Sequence, residues 1–70
     1  MKKGMLIYDS STNRFDVLYE EGNSYGGLHC GTAIEVLIND EWVPTRIEYG
    51  NDWYLVGVQQ ESLPGLQVRI

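Results

Sequence analysis

Seventy residues, 43% of them hydrophobic and 21% charged, are enough for one small domain around one core and exclude a multidomain reading. Ten acidic against five basic residues leave a net charge of −5, the wrong sign for displacing counterions from nucleic-acid phosphates, and argue against a phosphate-backbone binder. The longest clean apolar run, Met5–Tyr8, falls far short of the roughly 20 residues of a membrane span or the ~7–15 of a signal-peptide core, so neither insertion nor secretion is expected.

A lone cysteine, Cys30, cannot close an intramolecular bridge, and small domains of oxidising compartments usually carry several cysteines, so a reducing cytoplasm is the expected setting. Stability must then come from one hydrophobic core. The apolar pattern has period two almost everywhere, and no twelve-residue window shows a helical stripe free of Gly, Pro or Asn/Asp/Ser clusters. The fold class is therefore all-β.

The first strand is expected over Gly4–Tyr8, followed by turn chemistry in Asp9-Ser10-Ser11-Thr12-Asn13, whose side chains bond to nearby backbone in tight bends. Arg14–Tyr19 is the second strand, with Phe15, Val17 and Tyr19 on one face and Arg14, Asp16 and Leu18 on the other; the two form a hairpin with one buried side. Glu20–Gly31 holds Gly22, Gly26, Gly27 and Gly31 and reads as a long, tightly turning loop. Those glycines do not lead into a helix, so they make no phosphate cradle.

Thr32–Ile38 is the third strand and Glu41–Tyr49 the fourth, joined by a two-residue Asn39-Asp40 turn, because both residues tolerate positive φ. That turn sets Val36 opposite Val43 and Leu37 opposite Trp42. It points Val43, Thr45, Ile47 and Tyr49 inward and Trp42, Pro44, Arg46 and Glu48 outward. Pro44, lacking a backbone donor, belongs where the strand is unpaired on one side or at a bulge.

Gly50-Asn51-Asp52 makes the next turn, and Trp53–Val58 is the fifth strand, with Tyr54, Val56 and Val58 expected in the core. Ser62-Leu63-Pro64-Gly65 suits a single 3₁₀ turn, and Leu66–Ile70 completes the sheet with Leu66, Val68 and Ile70 on one side.

Six short strands bury their apolar faces only if the sheet curls, which predicts one small barrel domain over residues 1–70. The order of parts, with Leu28, Gly31, Ile34, Val36, Leu37, Trp42 and Pro64 as landmarks and Leu6-Ile7-Tyr8-Asp9 near the start, resembles the SH3-like barrel. Trp42-Val43 replaces the usual aromatic pair of that fold, and Pro64-Gly65-Leu66 lacks its ligand-groove residues, so the likeness concerns the fold more than peptide binding.

A second resemblance covers most of the chain. Leu28-His29-Cys30-Gly31, Trp42-Val43-Pro44-Thr45-Arg46-Ile47-Glu48, Trp53-Tyr54-Leu55 and Gly65-Leu66-Gln67-Val68-Arg69-Ile70 are similar to a family of short bacterial proteins known only as a domain of unknown function. The resemblance implies a small cytoplasmic β-domain, and it brings neither catalytic residues nor a cofactor.

Among side chains able to carry chemistry, His29-Cys30 invites a thiol-enzyme reading, since imidazole can activate a thiol. Adjacent residues of an extended chain point to opposite faces, however, and Cys30 is expected to pack beside Leu28. One His and one Cys also fall short of a zinc ligand set, so no metal or cofactor is expected. The pairs Glu20-Glu21, Asp40-Glu41 and Glu35 with Glu48 read as solvated turn and edge charges.

The aromatic set is more informative, because exposed Trp and Tyr are common interface anchors. The sequence predicts a non-enzymatic interaction module whose contact surface for a protein partner is Trp42, Pro44, Tyr25 and Trp53, bordered by Glu20, Glu21 and Arg46. A loop folded over Trp42 is the competing role for that residue. An acidic nucleic-acid mimic binding a basic protein is the alternative function, and a monomer or weak homodimer the expected state.

Overall fold

The structure is a computed structural model describing residues 1–70. Six strands, β1 (Lys3–Asp9), β2 (Arg14–Tyr19), β3 (Ala33–Ile38), β4 (Glu41–Tyr49), β5 (Trp53–Leu55) and β6 (Gln67–Arg69), form one antiparallel sheet in the order β2-β1-β6-β3-β4-β5, with no helix. The all-β expectation holds, and β2 and β4 have the anticipated bounds.

The β3–β4 hairpin is the part the local chemistry dictates most directly. Asn39 and Asp40 both take positive φ, 50° and 65°, the conformation of a two-residue turn whose twist matches the flanking strands. Val36 accordingly faces Val43, and Leu37 faces Trp42. In this register Pro44 opposes Glu35 in a pair that exchanges no backbone hydrogen bonds, so its nitrogen points away from β3. On that other side β5 reaches only Ile47 to Tyr49, and Pro44 sits where no donor is needed.

The last strand enters between β1 and β3. Gly4 faces Val68, which faces Val36 in turn, and the ladder extends past β6 through reciprocal bonds of Lys2 and Ile70, both 3.0 Å. Ten side chains form the core: Leu6, Phe15, Val17, Tyr19, Leu28, Ile34, Val36, Ile47, Leu55 and Val68. All but Leu28 come from the inward positions of the strands. Leu28 enters from the long loop, its amide bonded to the Phe15 carbonyl at 2.8 Å.

Alternation curls the sheet around this core until its edge strands meet. Phe15 of β2 and Trp53 of β5 stand edge to face at 6.4 Å, and Trp53 Nε1 donates to the Asn13 carbonyl at 3.1 Å. Side chains make this junction; no ladder joins β2 to β5, so the hydrogen-bonded sheet stays open.

Five expectations are corrected. The fifth strand stops at Leu55, because Gly57 takes φ 74° and Val58 turns back to bond the Leu55 carbonyl. Its core residue is Leu55, set inside by pairing with Ile47, while Tyr54 is exposed. Tyr49 shares the inward face but lies past the end of the core and is 57% exposed. Residues Leu63–Leu66 close one hydrogen-bonded turn without forming a 3₁₀ helix. Cys30 is exposed rather than packed beside Leu28, because Gly31, at φ 88°, turns the chain straight after it.

Candidate functional site

The outward positions of the sheet carry an apolar row that the register assembles. Leu18 of β2 faces Met5 of β1, which faces Gln67 of β6, and Leu37 of β3 faces Trp42 of β4. Trp42 leans back across β3, so that the Arg69 guanidinium of β6 covers one face of its ring at 4.4 Å. Met5, Leu18 and Trp42 thereby line one depression of about 540 Å³ together with Lys3, Glu20 and Gln67. Met5 and Leu18 are 43% and 37% exposed, a cluster of apolar surface beyond the scattered single residues normal on a small domain.

Charges border this row in a second line across the sheet, where Lys3 faces Arg69, Arg69 faces Glu35 and Glu35 faces Pro44. Arg69 Nε bonds Glu35 Oε1 at 2.5 Å, and Arg46 Nε bonds Glu48 Oε2 at 2.8 Å. Lys2 bonds Glu21 at 3.0 Å and holds its carboxyl below the usual carboxylate range.

The residues singled out from sequence therefore divide. Trp42 and Glu20 meet in the outer depression, and Pro44 and Arg46 lie on the same outward face of β4. Trp53 pairs with Tyr49 on the opposite face of the sheet and belongs to a rim cleft of about 530 Å³ lined by Tyr8, Arg14, Cys30, Tyr49 and Asp52 among others. Tyr25, 45% exposed, lies in the loop along β2, its amide bonded to the Val17 carbonyl. Glu21 is spent on Lys2. The cover on Trp42 is Arg69, not the 20–31 loop.

His29 and Cys30 face different cavities: His29 joins Asp9, Asp16 and Gly26, whereas Cys30 joins Tyr8 and Trp53. No hydrogen bond links them, and no group of three or more His, Cys, Asp or Glu is placed to hold a metal. Sequence reasoning missed Met5 and Leu18. Their signal was one apolar residue, Leu18, on the face of β2 that also bears Arg14 and Asp16, but its neighbour is known only once the β1–β2 register is.

The unpaired edges of the sheet are blunted. Residues 23–28 bond the outer side of β2 through Tyr19, Val17 and Phe15, and β5 is three residues long with Leu55 bridged to Val58. On the side of β4 away from β3, residues Glu41–Pro44 stay unpaired, and Pro44 interrupts that edge by lacking a backbone donor.

The family model described as "Domain of unknown function (DUF5348)" matches residues 4–70. The chain belongs to this family. A crystal structure of a protein from Ruminococcus gnavus is similar to this DUF5348 chain at 49% identity, covering 99% of this chain and 100% of that one with a TM-score of 0.93. No curated protein matches the chain. No helix is long and apolar enough to cross a membrane.

Proposed function

We propose that this DUF5348 chain is a non-enzymatic protein-interaction module that engages its partner through the outer face of the sheet. The observation that carries the reading is the convergence of Met5, Leu18 and Trp42 in one depression on the outer face of the sheet. Trp with flexible Met and Leu in a concave patch is the composition of a binding anchor, and Lys3, Glu20 and Gln67 supply its polar rim. The exposed, unpaired Cys30 fits a reducing, cytoplasmic setting. The acidic-mimic alternative asks for a continuous stripe of carboxylates, and three of the ten are neutralised by Lys2, Arg46 and Arg69.

Co-purification from the native host tests it, comparing the tagged wild type with Leu18→Arg and Trp42→Ala. Leu18 contributes nothing to the core, so its variant should fold and still lose the partner. Recovery of the same partners by all three proteins would remove the outer face from consideration.

A further inference from the structure

We propose that the rim cleft binds a small zwitterion of the betaine class, a methylated ammonium joined to a carboxylate; this site is separate from the outer face and does not depend on it. The cleft lies at the seam where the ends of the β1–β2 and β4–β5 hairpins come together without a ladder between β2 and β5. Its volume of about 530 Å³ is that of a small-molecule site, and such sites favour the mouths of β-barrels.

Aromatic rings supply the half of the site that takes the cation. Tyr49 and Trp53 meet at 5.0 Å and 69°, two walls of a corner, and Tyr8 joins the row through Phe15 at 5.1 Å. Elsewhere the chain covers rings with its own cations, Tyr19 with Lys2 and Trp42 with Arg69, but none lies over Tyr8, Tyr49 or Trp53. An ammonium from outside gains the attraction of these uncovered faces. Methylation suits it, because ring faces attract charge yet leave the N–H groups of a primary ammonium short of acceptors, and Asp52 is the one carboxylate lining the cleft.

Charge selects a ligand of both signs. Arg14 and Asp52 line the cleft together, and neither belongs to an ion pair, with each other or with any other residue. A purely cationic or purely anionic ligand would satisfy one of them and be repelled by the other, whereas a zwitterion meets both. Each polar group is also held by one bond and keeps another free. Arg14 Nη1 donates to the Leu28 carbonyl at 3.4 Å, Asp52 Oδ1 accepts from the Trp53 amide at 2.8 Å, and Asn13 Oδ1 accepts from the Tyr8 hydroxyl at 3.0 Å. The rest of the guanidinium, Asp52 Oδ2 and Asn13 Nδ2 remain for a ligand, on groups already fixed in place. The carboxylate belongs on Arg14 and Asn13, and the ammonium between Asp52, Tyr49 and Trp53.

The full chain, isotope-labelled, is titrated with glycine betaine and with three relatives: choline, which lacks the carboxylate; tert-butylacetate, which keeps shape and carboxylate without the ammonium charge; and glycine, which lacks the methyl groups. Betaine should saturably shift the amides of Tyr8, Asn13 and Tyr49 and the Trp53 indole while the Trp42 indole stays in place. Each relative should bind about tenfold more weakly, or less still. Asp52→Asn and Arg14→Gln, each checked for unchanged circular dichroism, should weaken betaine binding by about tenfold. The proposal is overturned if betaine gives no saturable shift, if any one of the three relatives binds as well as betaine, or if both folded variants bind betaine like the wild type. Shifts centred on Met5, Leu18 and the Trp42 indole would also overturn it, by moving the ligand to the outer face. Should either variant unfold, the ligand series on the wild type decides alone.

Discussion

The guanidinium of Arg69 lies over the Trp42 ring, 4.4 Å from its centroid, while its Nε donates to Glu35. One residue of the last strand thus ties β6 to β3 by charge and to β4 by cation–π attraction, both on half-buried side chains. Each contact is worth about 0.5–1 kcal/mol, so Arg69→Ala should cost about 1–2 kcal/mol in urea denaturation. Glu35→Gln, which leaves the ring stacking in place, should cost less. In a Trp53→Phe background, Arg69→Ala should also raise the acrylamide quenching of Trp42. Unchanged quenching would mean that the guanidinium does not shield the ring in solution.

Gly4 has a different kind of necessity. A Cβ there would come within 2.5 Å of the Leu18 carbonyl oxygen and 2.7 Å of Val17 Cγ1, and the first of these is backbone that cannot rotate aside. Gly4→Ala should therefore destabilise by about 1–3 kcal/mol through overpacking of the β1–β2 pair. Gly22→Ala meets nothing within 4 Å but is strained by its φ of +100°, and should cost about 1 kcal/mol. Thermal midpoints of the two variants separate steric from conformational cost: Gly4→Ala should fall further.

The difference between what alternation reveals and what it hides follows from the same packing. The β3–β4 register was readable because Asn39-Asp40 admits one turn geometry and Ile34, Val36 and Ile47 can face only inward. In residues 53–58 both alternating sets are apolar, so pattern alone could not choose Leu55 over Tyr54; Gly57 and the pairing with Ile47 make the choice. Leu28 lies in a glycine-rich loop, where periodicity carries no information about burial. The outer site was half legible: Trp42 and Glu20 were singled out, but Met5 and Leu18 become neighbours only through the β1–β2 register, and Trp53 is turned to the opposite face by its pairing with Tyr49.

Acid sensitivity should have a local signature at the first hairpin. The Ser11 hydroxyl donates to Asp9 Oδ1 at 2.6 Å and the Ser11 amide at 3.0 Å, and these bonds hold the Asp9 carboxyl below its ordinary 3.8. Because the folded-state value is depressed, the stabilisation is fully present above the unfolded-state value and is lost as pH falls through the lower folded one. Glu21, lowered mainly by its hydrogen bond from Lys2, acts with the same sign. Carboxyl titration by NMR should place Asp9 below its unfolded reference, and Ser11→Ala should move it back up and flatten the acid limb of the urea midpoint. An Asp9 titration indifferent to Ser11→Ala would rule out the hydroxyl as the cause.

The turn between β3 and β4 offers a gain rather than a loss. Asp40 holds φ 65° next to Asn39 at 50°, and a side chain in the left-handed region is strained where glycine is not. Asp40 makes no salt bridge and its side chain accepts no hydrogen bond in the structure, so nothing is forfeited by removing it. Asp40→Gly converts the turn to Asn-Gly and should stabilise the fold by about 0.5–1 kcal/mol, the relief of strain exceeding the added freedom of the unfolded chain. Asp40→Ala keeps a Cβ at positive φ and should do the opposite. Urea midpoints of the two variants decide the matter: if alanine and glycine at position 40 shift stability alike, the effect belongs to the lost carboxylate and not to the backbone.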